Sequence, residues 1–157
     1  MREIQIVDAA ELAALYAAAA YAVVVDGDAI ALRVGEPTPD LEAYLPADTY
    51  VVISAWNPAS EPRSDAANEA ADAALVARLN AAGIARQPAW GSAPDGQWRE
   101  PGWLLTDIDQ AAADRLALDF GQAAVLCWRR GQPVRLRMLL APPAAVGAAA
   151  HVDWAGA

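Results

Sequence analysis

The sequence predicts a single α+β domain, and three observations carry that expectation. Apolar residues make up 56% of the 157-residue chain, enough to fill a core and too many for a disordered polypeptide. Runs such as YAVVV and TYVVIS alternate with alanine-rich segments whose apolar residues recur every three or four positions, so strands and helices follow one another along the chain. No apolar run approaches the ~20 residues that a membrane-crossing helix needs.

Taken in order, DAAELAALYAAA at 8–19 predicts a helix with Asp8 as its N-cap and Leu12, Leu15 and Tyr16 on one face. YAVVV-DGD-AIALRV predicts a hairpin over 20–34, because Asp26-Gly27 supplies the positive φ of a tight turn. GEPTPDLEAYLPAD is a Pro-rich connection with a short helical turn at 39–45. TYVVISAW is a nearly continuous apolar strand and should be central. The next helix begins near Ser64 or Asp65, carries a stripe of Ala67, Ala71, Leu75, Leu79 and Ala82, and ends at Gly83. IARQPAW is a strand that Pro88 assigns to an edge. After the turn GSAPDGQ, a strand runs best from Trp103. Asp107 or Asp109 then caps a helix with Ile108, Ala112, Leu116 and Phe120 on its inner face, and Gly121 ends it. QAAVLCWRR is a buried strand and VRLRMLL a cleanly alternating one.

From about 50 to 129 the order is β-α-β-β-α-β. Two helices crossing one face of an antiparallel sheet is the simplest packing of that string. The expected fold is therefore a ferredoxin-like sandwich with an added N-terminal helix and β-hairpin and a C-terminal edge strand. Residues 1–140 form the domain, and 141–157 a small-residue tail that is loose unless Trp154 docks.

Composition excludes several function classes. The net charge is −9, and residues 1–61 hold most of it, with ten acids against two arginines. This balance argues against nucleic acid as a partner. All basic side chains are arginine apart from His151. Cys127 is the sole cysteine, so no intrachain disulfide is possible, and no metal site or cofactor is expected. His151 lies in the tail, and Cys127 reads as a small hydrophobe in a strand. The first fifteen residues mix acids with apolar residues and do not read as a signal peptide, which gives a cytoplasmic expectation. No membrane partner is expected.

The topology collects particular polar residues. In a βαββαβ sheet, one end gathers the close of the first strand, the start of the first helix, the turn between strands two and three, and the start of strand four. That end receives Trp56, Asn57, Ser60, Arg63, Ser64, Asn68, Trp98, Glu100 and Gln122. Each has an ordinary structural use: Asn57-Pro58 as a turn opener, Ser64 as an N-cap, the tryptophans as packing. Each also has a functional one. A helix start presents free N–H groups, Arg63 adds a planar donor for phosphate or carboxylate, and the tryptophans can stack on a ring. Glu100 is the candidate general acid or base. Paired carboxylates, a Ser-His-Asp set, a P-loop and GxGxxG are absent from the sequence.

VVISAWNPASEPRSDAANEAADAAL, then Trp98 and Glu100, then FGQAAVL at 120–126, resemble a bacterial family called domain of unknown function 3293. The likeness covers about residues 20 to 137, and AWNP and FGQ are its most distinctive parts. The resemblance implies a compact domain with Asn57, Pro58, Ser64, Asn68, Glu100 and Gln122 in its motifs, and implies no known activity.

Three functions are compatible with these residues. The first is a non-catalytic binding domain for a small anionic or nucleotide-like ligand or a protein partner. The second is a small hydrolase or transferase acting on a phosphate or acyl compound through Glu100. The third is an interaction protein that accepts a partner strand on a free sheet edge.

Overall fold

The computed structural model describes residues 8–144 and 149–156. Residues 1–7, read above as unlike a signal peptide, and 145–148 and 157 of the tail lie outside them. Among the described residues, four helices and eight strands follow in order: α1 Ala9–Ala18, β1 Ala20–Val25, β2 Asp28–Leu32, α2 Pro39–Tyr44, β3 Thr49–Ile53, a 3-10 turn Pro58–Ser60, α3 Asp65–Ala81, β4 Arg86–Ser92, β5 Glu100–Thr106, α4 Gln110–Asp119, β6 Ala124–Arg129, β7 Arg135–Met138 and β8 Val152–Trp154. The α+β class is borne out. The sheet is larger than the sandwich expected: eight strands in the order β2-β1-β4-β5-β3-β6-β7-β8, antiparallel except for the β7–β8 pair.

The local signals act as their chemistry dictates. Asp8 caps α1 by accepting the Glu11 N–H at 2.8 Å. Asp26 and Gly27 both have positive φ, 50° and 83°, the geometry that a two-residue hairpin turn demands. α3 ends where Gly83 takes φ 67° and the Ile84 N–H returns to the Leu79 carbonyl.

Alternation along the strands sends side chains to two cores. Tyr50, Leu104, Leu126, Trp128, Leu136 and Met138 join Leu12 of α1 and Leu41 of α2 on one face. Val51, Ile53, Leu105 and Val125 join Leu75, Leu79, Leu116 and Ala117 of α3 and α4 on the other. The sheet curls round the first core. Val34, just beyond β2, forms a parallel bridge with Val134, just before β7, and the Gly35 N–H donates to the Val134 carbonyl at 2.8 Å.

Several expectations are corrected. β4 lies inside the sheet, between β1 and β5, despite Pro88. Only Ala89–Ser92 pair with β1, so the missing Pro88 N–H falls outside that ladder. β7 is not the edge, because Trp154 docks against the first core and β8 covers β7. Leu15 is 61% exposed, because the buried stripe of α1 runs through Leu12 and Ala13. On α4 it is Ala113, not Ala112, that is buried with Leu116. Asp107 does not cap α4; its Oδ1 accepts the N–H groups of Asp48 and Thr49 at 2.8 and 3.1 Å.

The sequence predicts that the arginines of β7 face acids of the N-terminal part such as Glu36, Asp40 or Glu42, because residues 1–61 carry most of the negative charge. They pair elsewhere, because β8 and α4 lie beside their face of the sheet. Arg135 makes two bonds to Asp153 of β8, and Arg137 two bonds to Asp114 of α4. With side-chain exposures of 27% and 21%, the Arg137–Asp114 pair is the less exposed of the two. A double-mutant cycle on it should give a coupling of about 1 kcal/mol, at the upper end for accessible pairs, that weakens as salt rises. A coupling near zero at low salt would show that the pair orients α4 without stabilising it.

Candidate functional site

One end of the sheet gathers the close of β3, the start of β5, the end of α1 and the segment between α4 and β6. Two close approaches set its shape. A Cβ on Gly102 would stand 2.5 Å from the Ile53 carbonyl, so only glycine lets β5 run this near the end of β3. A Cβ on Gly121, which has φ 68°, would stand 2.9 Å from Pro58 Cβ, so the loop after β3 is seated on the end of α4. Beside it, Gln122 Nε2 donates to the Trp56 carbonyl at 3.1 Å. The AWNP and FGQ segments therefore touch.

Asn57 is the hub. Its N–H donates to Asn68 Oδ1 at 2.9 Å, and its Nδ2 donates to Glu100 Oε1 at 2.8 Å. Its Oδ1 accepts from the Arg63 N–H at 3.0 Å and from Asn68 Nδ2 at 2.8 Å. Asn68 is 1% exposed on the first turn of α3, so burial obliges its amide to find these partners. Arg63 turns back on the loop: Nε donates to Asn68 Oδ1 at 3.2 Å and Nη2 to the Ala55 carbonyl at 3.0 Å. Ser64 caps α3 by accepting the Ala67 N–H at 3.2 Å. The loop carries backbone strain, with Asn57, Ala59 and Ser60 at φ 41°, 51° and 61°. Asparagine tolerates that region, whereas alanine and serine are held there by their surroundings.

Of the residues singled out in the sequence, Trp56, Asn57, Arg63, Asn68, Glu100 and Gln122 are joined by these hydrogen bonds, directly or through one another's backbone. Ser60 is tied instead to α1, its Oγ 2.6 Å from the Tyr16 hydroxyl. Ser64 serves as a cap. Trp98 makes none of these bonds. It sits in the turn before β5 at φ 58° and is 80% exposed, beside Arg99, whose guanidinium lies 4.2 Å from the centre of the Trp90 ring.

Sequence reasoning missed Tyr16 and Tyr21. Tyr16 read as part of the apolar stripe of α1, and its place in the last helical turn was the one available signal. The Tyr21 hydroxyl donates to the Tyr16 carbonyl at 2.6 Å, and its ring lies against Gly91. Burial raises both phenols first; the Glu100 charge raises them further, while the Ser60 bond lowers Tyr16. Both hydroxyls thus lie within electrostatic reach of Glu100.

Burial also raises the Glu100 carboxyl, and the Asn57 bond only partly offsets this. A carboxyl raised on folding favours the native state most below the ordinary carboxylate range, and that contribution is lost as pH rises through the raised value. In Glu100→Gln, the amide oxygen can still accept from Asn57, and no buried charge forms. Thermal melts should give the variant its advantage over the parent near neutral pH and none in acid. An equal difference at both pH values would mean that Glu100 ionises without a burial cost.

Among the described residues, no group of three or more His, Cys, Asp or Glu side chains could hold a metal ion, and no helix is long and apolar enough to cross a membrane.

Fold and site together define a small α+β domain with a polar, hydrogen-bonded loop closing one end of its sheet. The family described as Protein of unknown function (DUF3293) matches residues 53–125, which bears out the resemblance over a span running from the end of β3 into β6. That span holds Asn57, Asn68, Glu100 and Gln122; Tyr16 and Tyr21 lie outside it. No curated protein and no solved structure matches the chain.

Proposed function

We propose that the protein is a non-catalytic binding domain for a small nucleotide-like ligand, bound over Glu100 at this end of the sheet. The observation that carries the reading is the Asn57–Glu100 bond. It fixes one carboxylate oxygen at 2.8 Å, while the other has no hydrogen-bond partner among the described residues. A fixed carboxylate with an open oxygen accepts N–H groups from a ring, and Trp98, two residues away and 80% exposed, offers a face for that ring to stack on. Arg63, expected to grip an anion, is engaged with the loop through Nε and Nη2. The scaffold reading is that β3, α3, β4, β5, α4 and β6 form a ferredoxin-like unit. The adjacency β4-β5-β3-β6, antiparallel throughout, supports it.

Calorimetric titration with nucleosides and nucleotides tests this. A saturable ligand should lose at least tenfold in affinity in both Glu100→Gln and Trp98→Ala. Unchanged binding in Glu100→Gln would sink the reading.

One observation favours a second reading. The raised Glu100 carboxyl stands near the Tyr16–Ser60 hydroxyl pair, the setting of an acid or base for a hydrolase or transferase acting on a phosphate or acyl compound. Turnover of such a compound that disappears in Glu100→Gln would replace the first reading by the second.

A further inference from the structure

A second place in the molecule, remote from Glu100 in the fold, has the makings of a binding site. Where α3 ends, the groove between α3 and α4 opens into a cleft of about 190 Å³ lined by Arg78, Ala82, Ile84, Ala112, Arg115 and Leu116. The sequence makes the cleft in a simple way. Gly83 turns the chain sharply at φ 67°, and Ile84 and Leu116 reach the second core. Ala82 and Ala112 face the opening with only methyl groups. The space is well above the ~10–15 Å³ that a single water needs and has room for a short organic tail.

The rim is cationic in an acidic protein. Arg78 is held in place: Nη1 donates to Asp119 at 2.8 Å, and its guanidinium lies 5.8 Å from the centre of the Phe120 ring. Arg115 takes part in none of the ion pairs among the described residues. In a chain of net charge −9, an arginine without a carboxylate beside a mostly apolar hole is complementary to one kind of ligand. We infer that this cleft binds a short aliphatic carboxylate, with its tail on Ile84, Leu116, Ala82 and Ala112 and its carboxylate on Arg115, assisted by Arg78. A planar guanidinium suits a carboxylate through paired hydrogen bonds, and the apolar floor selects acids with a hydrocarbon tail over small hydrophilic ones.

The test is an NMR titration of the full chain with hexanoate, 1-hexanol and acetate. Hexanoate should give saturable shifts at Ile84, Ala112 and Leu116. Hexanol, lacking the charge, and acetate, lacking the tail, should each bind at least tenfold more weakly. Arg115→Gln, at an exposed position, should lose about tenfold for hexanoate while keeping the parent spectrum elsewhere. Ala112→Leu, which fills the cleft, should abolish the shifts. Equal binding of hexanol and hexanoate, unchanged affinity in Arg115→Gln, or no saturation by about 10 mM hexanoate would each overturn the assignment. None of these outcomes bears on the site around Glu100.

Discussion

Leu79→Ala is expected to lower the unfolding free energy by about 2–5 kcal/mol, the range for emptying a leucine site that cannot collapse. Leu79 is 0% exposed and stands in the core between α3 and the sheet, with Leu75, Leu105 and Leu116 in the same cluster. Several elements meet there, so the cavity cannot close without moving a helix off a strand. Its carbonyl also receives the Ile84 N–H that closes α3, so loosening the residue loosens the turn after it. Denaturant melts measure the loss from the midpoint at constant slope. A change below about 1 kcal/mol would mean that the site repacks freely.

Asn68→Ala comes next in size and acts through hydrogen bonds. Its side chain accepts from the Asn57 N–H and Arg63 Nε and donates to Asn57 Oδ1. Removing it leaves these groups unpaired around a residue that is 1% exposed. The cost for a buried orphaned donor is about 1–3 kcal/mol, and alanine's better helix propensity offsets only a fraction of it. The strained loop should also lose its fixed conformation, and with it the Asn57–Glu100 bond. The variant is therefore expected to melt earlier and to expose Arg63 and Asn57 to faster amide exchange, while α4 and β6 keep their protection. Uniform loss of protection across the domain would show that the loop is part of the global cooperative unit.

These two residues mark what could be read in advance. Leu79 was legible because a helix repeats its inner face every three to four residues, and Leu75–Leu79 obeys that period beside a central apolar strand. The convergence of Asn57, Glu100 and Gln122 was legible too, because the element order restricts which chain ends can meet. The bonds among them were not. Arg63 looks in sequence like a free cation before a helix, but it turns onto the Ala55 carbonyl and Asn68. Tyr16 looks like a packing residue, and only the closeness of α1 to the loop after β3 sets its hydroxyl against Ser60.

The same division runs through the edges of the sheet. Alternation in VRLRMLL placed Leu136 and Met138 inward, since side chains of a strand point to opposite faces whatever lies beside it. It could not say which acids Arg135 and Arg137 would meet, because that depends on neighbours distant in sequence. Asp153 arrives with β8 from the tail, and Asp114 with α4. By itself the sequence determined the mixed class, the main helices and strands, the hairpin turn at Asp26-Gly27, the caps at Asp8 and Ser64, and the alternation along the strands, all of which follow from local geometry and burial. The tertiary structure alone decided the eight-strand order, the curl that brings Val34 to Val134, the docking of Trp154, and the partners of buried polar groups such as Asn68. Those depend on contacts between segments far apart in the chain, where many pairings satisfy the same pattern and only the packed whole selects one.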